Sequence, residues 1–130
     1  ANEIDMVINI TDLKNKNYDK ILEEINLIKK EIKDKTLKVI IETCYLSNEE
    51  KVKMCEIISN SNADYIKTST GFGSQGASIE DIKLFRQNLS KDKKIKAAGG
   101  IKTKEDMIEY INLGCNRLGT SSAVKILFYK

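Results

Sequence analysis

The sequence predicts an α/β fold with a parallel sheet, built from five consecutive strand–helix units. Three observations carry this. Short β-branched runs with strand periodicity alternate along the whole chain with longer segments whose apolar residues recur at helical spacing. Ser or Thr followed three positions on by an acid stands before the helical segments at Ser47–Glu50, Ser78–Asp81 and Thr103–Asp106. No linker, low-complexity tract or residue-level repeat interrupts the pattern, so residues 1–130 read as one domain.

Taken in order, Ile4 to Ile10 alternates as a strand, and Ile21, Ile25, Ile28 and Ile32 mark an amphipathic helix over roughly 18–34. Leu37 to Thr43 is a second strand, rich in β-branched residues. Ser47 and Glu50 open a helix expected to turn Val52, Cys55 and Ile58 inward. Ala63 to Ser69 is a third strand, and Ser78 with Asp81 opens a helix that turns Ile82, Phe85 and Leu89 inward. Ile95 to Ala98 is a short fourth strand. Thr103 and Asp106 then cap a helix expected to bury Met107, Ile108 and Ile111, with Gly114 at its C-terminus. Asn116 to Thr120 is the fifth strand, and Ser121 or Ser122 caps a last helix through Ile126.

Composition narrows the function. Hydrophobic residues at 41% and charged residues at 32% describe a globular chain rather than a disordered one. A net charge of +3, spread among acids, gives no nucleic-acid footprint but suits a small anionic ligand. No apolar run is long enough for a bilayer, and no signal-peptide pattern is present, so the protein reads as soluble and cytoplasmic. Three cysteines without a CxxC pattern fit a reducing compartment and inert thiols. The absence of histidine excludes Ser-His-Asp catalysis, His-ligated zinc and His acid–base chemistry. Proton transfer is left to Lys, Asp, Glu, Tyr or water.

Side chains alternate faces along a strand. One set (Ile4, Met6, Ile8; Leu37, Val39, Ile41; Ile66; Ile95, Ala97) belongs under the helices. The other set puts Asp5, Lys38, Glu42, Lys67 and Lys96 on one inner surface, with the three lysines evenly spaced in the sequence. Strands of a parallel sheet are normally near-continuous apolar runs, and a buried unpaired charge costs several kcal/mol. Such a cluster points to chemistry. Structural ion pairing with Asp5 and Glu42, or snorkelling at strand ends, is the bland alternative. Glycine- and hydroxyl-rich loops follow the last three strands: Thr68-Ser69-Thr70-Gly71, Gly99-Gly100 and Gly119-Thr120-Ser121-Ser122. One glycine pair is more often a plain turn. Several in consecutive final units favour a phosphate site built from backbone N–H groups.

The motifs Glu3-Ile4-Asp5-Met6-Val7-Ile8-Asn9, Leu37-Lys38-Val39-Ile40-Ile41-Glu42-Thr43, Ala63-Asp64-Tyr65-Ile66-Lys67-Thr68-Ser69-Thr70-Gly71, Lys96-Ala97-Ala98-Gly99-Gly100-Ile101 and Gly119-Thr120-Ser121-Ser122 resemble those of the deoxyribose-phosphate aldolase family, in order and spacing. The resemblance covers essentially the whole chain. It implies a (β/α)8 barrel of TIM-barrel type, here incomplete, with this chain matching the fourth to eighth strands and the first three strand–helix units absent. It implies class I, Schiff-base cleavage of 2-deoxy-D-ribose 5-phosphate to D-glyceraldehyde 3-phosphate and acetaldehyde, without metal or organic cofactor. By the same resemblance Lys67 forms the Schiff base, Lys96 is the second active-site lysine and Asp5 relays protons. Gly99, Gly100, Gly119, Ser121 and Ser122 match phosphate-loop positions, and Thr70 and Lys38 join the substrate-binding set. In the family an aspartate of the missing part partners the position of Lys38.

A lysine amine is nucleophilic only when neutral, so Lys96 beside Lys67 is expected to disfavour the Lys67 ammonium. Five strands are expected to leave open edges and a 130-residue chain that is weakly active or inactive alone. A homo-oligomer or a missing N-terminal segment would complete it. The competing readings are another phosphate-sugar Schiff-base aldolase, and an inert or assembly-dependent half-barrel.

Overall fold

The computed structural model describes residues 2–69, 78–98 and 103–119. Its strands are β1 (Glu3–Val7), β2 (Thr36–Ile40), β3 (Tyr65–Lys67), β4 (Lys94–Ala98) and β5 (Arg117–Gly119). They form one parallel sheet in the order β1-β2-β3-β4-β5. The helices are α1 (Ile10–Lys14), α2 (Tyr18–Ile32), α3 (Asn48–Ser59), α4 (Ile79–Asn88) and α5 (Lys104–Asn112), with a 3-10 turn at Thr43–Tyr45. Strictly sequential parallel order, with the right-handed crossovers that parallel strand–helix–strand units adopt, places the connecting helices on one face of the sheet, the arrangement of an arc of a (β/α)8 barrel.

The caps explain where helices begin. Ser47 Oγ accepts from the Glu50 N–H at 3.2 Å, and Glu50 accepts from the Ser47 N–H at 2.8 Å. Thr103 and Asp106 form the same reciprocal pair. Ser78 caps α4 by accepting from the Asp81 N–H. The sequence expectation of a first strand running to Ile10 is too long. Asn9 Oδ1 accepts from the Asp12 N–H at 3.1 Å and starts α1 at Ile10, which turns Leu13 into the core.

The core lies between the sheet's outer face and the helices. Val39, Ile66 and Ile95 come from neighbouring strands at no measurable exposure, and Ile25, Ile58 and Phe85 meet them from α2, α3 and α4. Each such side chain stabilises the fold by about 1.5–3 kcal/mol through burial. On α5 the expected inward set is corrected in part: Met107 is buried as expected, but it is joined by Tyr110, whereas Ile108 and Ile111 are 49% and 57% exposed. Both sets satisfy helical spacing, and the packed stripe is the one facing β5. The last helix expected through Ile126 lies outside the described residues.

The sheet is curled. Four gaps of about 4.8 Å would separate β1 from β5 by about 19 Å if the sheet were flat. That exceeds the combined reach of a Glu and an Arg side chain, yet Arg117 of β5 donates to Glu3 of β1. The contact closes across the inner face, the side opposite the helices. Among the described residues no helix is long and apolar enough to cross a membrane.

Candidate active site

Register brings the inner-face charges together. Asp5 stands beside Lys38, and Lys67 beside Lys96, on adjacent parallel strands. Strand alternation then points all four side chains to the same side. Lys67 Nζ donates to Asp5 Oδ2 at 2.9 Å. Lys38 Nζ lies 3.2 Å from Asp5 Oδ1 and 3.1 Å from Glu3 Oε1. Asp5 therefore uses one carboxylate oxygen for each of two lysines, while Lys96 has no carboxylate at ion-pair distance among the described residues. Lys38 and Lys67 are buried, at 7% and 9% exposure, whereas the Asp5 side chain is 36% exposed.

These positions set the protonation of each group. Burial pushes the Asp5 carboxyl up, but hydrogen bonds from Lys67 and then Lys38 outweigh it and hold Asp5 below its ordinary value. Burial pulls Lys38 down, and the bonds to Glu3 and Asp5 more than restore it, so its ammonium is favoured. Lys96 goes the other way. Burial, then the charges of Lys38 and Lys67, lower it, and Asp5 compensates only in part. The sequence places like-charge pressure on Lys67. At Lys96 burial and the neighbouring ammonium groups act together against the charged form, while Lys67 donates to Asp5.

Of the remaining residues expected at the site, Gly119 ends β5 in register with Ala98. Thr70, Gly99, Gly100, Ser121 and Ser122 lie outside the described residues. The ends of β3 and β4 that lead toward these positions are stitched together: Ser69 Oγ donates to the Ala98 carbonyl at 2.6 Å, and the Ala98 N–H donates to Thr68 Oγ1 at 3.0 Å. Glu42 is buried, but β2 ends before it. With φ of 48° it stands in the left-handed region at the start of the 3-10 turn, so strand alternation does not govern its direction.

Sequence reasoning missed Glu3 and Arg117. Arg117 reaches across to Glu3 and passes its guanidinium over the Tyr65 ring, 5.3 Å from the centroid. Alternation carried two positions back from Asp5 finds Glu3. The same rule applied to the fifth strand finds Arg117.

Chemically, the arrangement offers a primary amine next to a carboxylate and a second amine disfavoured as a cation, the parts needed for carbonyl addition and proton transfer. Among the described residues no group of three or more His, Cys, Asp or Glu could hold a metal ion.

Comparison with known proteins agrees with the fold and the motifs. A family model described as DeoC/LacD family aldolase matches residues 1–120. The chain is 61% identical over 127 residues to the deoxyribose-phosphate aldolase of Clostridium botulinum (strain Eklund 17B / Type B), and 60% identical to that of Clostridioides difficile (strain 630). Each alignment covers 98% of this chain and 58% of the relative, so the chain spans well under two thirds of the length of these proteins. Among solved structures, QR15, an aldolase, superposes with a TM-score of 0.91 at 40% identity, covering 98% of this chain and 60% of QR15. The tetrameric deoxyribose phosphate aldolase of Aeropyrum pernix superposes with a TM-score of 0.85 at 27% identity, covering 98% of this chain and 54% of that one. Family model, close relatives and superposed structures converge with the lysine–aspartate geometry on one assignment: this chain belongs to the DeoC/LacD aldolase family.

Proposed function

We propose that the chain carries the catalytic lysines of a class I aldolase that reversibly cleaves 2-deoxy-D-ribose 5-phosphate to D-glyceraldehyde 3-phosphate and acetaldehyde. The observation that carries the reading is the pairing of Lys67 with Asp5 at 2.9 Å beside Lys96, an amine whose charged form is disfavoured. The neutral Lys67 amine adds to the C1 aldehyde. Loss of water gives an iminium, which accepts electrons as the C2–C3 bond breaks. The C3 hydroxyl proton leaves with that bond, and the phosphorylated aldehyde departs. The remaining two-carbon enamine takes a proton at C2, and hydrolysis releases acetaldehyde and restores the amine.

Two groups serve the proton steps. Asp5 and Lys96 both border Lys67, so a proton leaving Lys67, or returning to carbon, has an acceptor and a donor within the cluster. The phosphate of the substrate is assigned to the loop positions Gly99, Gly100, Gly119, Ser121 and Ser122, with Thr70 as a further substrate-binding position, on the strength of their glycine and hydroxyl pattern. Lys38, with its ammonium already between Glu3 and Asp5, supports the carboxylate rather than reaching for phosphate.

The 130 residues alone are proposed to turn over slowly. Asp5 is more than a third exposed and Val7, on the same inner face, is 47% exposed, so water screens the charges that the reaction uses. An assay that follows glyceraldehyde 3-phosphate released from 2-deoxyribose 5-phosphate tests the assignment. Slow release that disappears in Lys67→Met supports it. Release at an undiminished rate in Lys67→Met overturns it.

A further inference from the structure

Glu3 has no part in the chemistry described above, yet it is the hinge of the charge cluster. It stands two positions before Asp5 on the same face of β1. Its Oε1 takes two cations: Arg117 from β5 and Lys38, at 3.1 Å, from β2. Lys38 continues to Asp5 Oδ1, and Asp5 Oδ2 meets Lys67. The result is one chain of contacts, Arg117–Glu3–Lys38–Asp5–Lys67, laid across the inner face from the last strand to the middle one. Tyr65 supports its far end. That ring is buried, with the Arg117 guanidinium over it at 5.3 Å and Lys94 Nζ at 5.8 Å.

We propose that Glu3 is a positioning residue of the aldolase site: clamped by Arg117, it holds the Lys38 ammonium against Asp5 Oδ1 and so keeps Oδ2 turned to Lys67. This role rests on the proposed function, in which Asp5 and Lys67 carry the chemistry. The physical case is geometric. A lysine ammonium is a point charge on a four-carbon flexible stem and does not define a direction by itself. A carboxylate on each side defines one. Arg117 in turn holds Glu3 through one guanidinium nitrogen, with the guanidinium stacked over the Tyr65 ring, which leaves it less free than a flexible ammonium. The protonation pattern agrees. Glu3 is held below the ordinary carboxylate range, first by Arg117 and then by Lys38, and Lys38 is raised with Glu3 ahead of Asp5 among the contacts that favour its ammonium.

The clamp is testable without relying on turnover. Glu3→Gln keeps the size of the side chain and removes its charge. The readout is competitive acetylation of the 130-residue chain across alkaline pH, with each lysine quantified by mass spectrometry. At pH 9, Lys38 in Glu3→Gln is expected to label about fivefold faster than in the parent, while lysines remote from the cluster are unchanged. The second arm measures the rate at which borohydride traps acetaldehyde on Lys67. Glu3→Gln should slow it severalfold, and in a Lys38→Met background Glu3→Gln should have no further effect. Should Glu3→Gln fail to fold by circular dichroism, Glu3→Asp keeps the charge but shortens the reach, and the same rise in Lys38 labelling is expected. An unchanged Lys38 profile in a folded Glu3 variant overturns the clamp. So does a Glu3→Gln effect on trapping that persists undiminished without Lys38. Failure of the parent chain to trap acetaldehyde at all would instead count against the proposed function, and the labelling arm would still decide the role of Glu3.

Discussion

Asp5→Asn is the perturbation with the sharpest physical consequence. It preserves shape and removes the charge that two buried lysines share. Lys38 retains Glu3 at 3.1 Å, whereas Lys67 loses the carboxylate 2.9 Å from its nitrogen. Removing one partner of a buried pair costs about 3–5 kcal/mol, and exposed pairs are worth about 0–1 kcal/mol. With the lysines buried and the Asp5 side chain 36% exposed, the cost falls between these limits, at about 2 kcal/mol. For a domain of this size that lowers the urea midpoint by about 1 M. The pH dependence has a definite sign. The folded-state pKa of Asp5 is depressed, so its contribution is fully present above the unfolded value of about 3.9 and is lost as pH falls through the lower folded value. Urea unfolding of parent and variant at pH 7 and at successively lower pH should show a gap that closes in acid. A gap below about 0.5 kcal/mol at pH 7, or one that widens in acid, refutes the shared-carboxylate geometry.

Lys96→Met is expected to stabilise the fold by up to about 1 kcal/mol at pH 7, because burial and the neighbouring ammonium groups penalise the charged amine. Its folded-state pKa is depressed, so this penalty holds below that value and vanishes above the unfolded value near about 10.4. Thermal melts at pH 7 and pH 10.5 should therefore show an advantage that shrinks, and a variant less stable than the parent at pH 7 contradicts this. Gly114→Ala is expected to destabilise by about 1–2 kcal/mol in the same melts, since Gly114 has φ of 99° and an added Cβ would stand 2.7 Å from Arg86 Cδ. Among the thiols, Cys44 should react first with a disulfide reagent, because burial pushes the Cys55 thiol up to about 12 and raises that of Cys115. Rapid reaction of more than one thiol in the native chain would show that the packing around Cys55 or Cys115 is looser than described.

The fold was legible because local signals agreed. The cap pairs at Ser47, Ser78 and Thr103 stand where the sequence puts them, and the alternation in β1 to β4 assigns the inner lysines to the correct face. Legibility failed where two local rules compete. Ile10 continues an apolar alternation, yet Asn9 is an N-cap, and the cap won. On α5, Met107 faces inward as the sequence predicts, but Tyr110 and Ile111 both stand one helical turn on from it, at i+3 and i+4, and only packing against the sheet chooses between them. The site was half legible. Periodicity found Asp5, Lys38, Lys67 and Lys96, because a charge within a buried strand is conspicuous. It could not show that Lys96 is disfavoured as a cation, because that depends on its burial and on Asp5 pairing with Lys38 and Lys67 instead. Glu3 and Arg117 escaped notice because their pairing joins the two ends of the sheet, and sequence spacing carries no trace of the curl that brings them together.

The most direct test of the account is to treat the chain with acetaldehyde and borohydride near neutral pH and to map the reduced adduct by peptide mass spectrometry. The proposed function predicts a single ethylated lysine, Lys67, with the adduct lost in Lys67→Met and its rate depressed in Asp5→Asn. An adduct on Lys96 or Lys38 in place of Lys67, or even labelling of all accessible lysines, would contradict the assignment of Lys67 as the nucleophile.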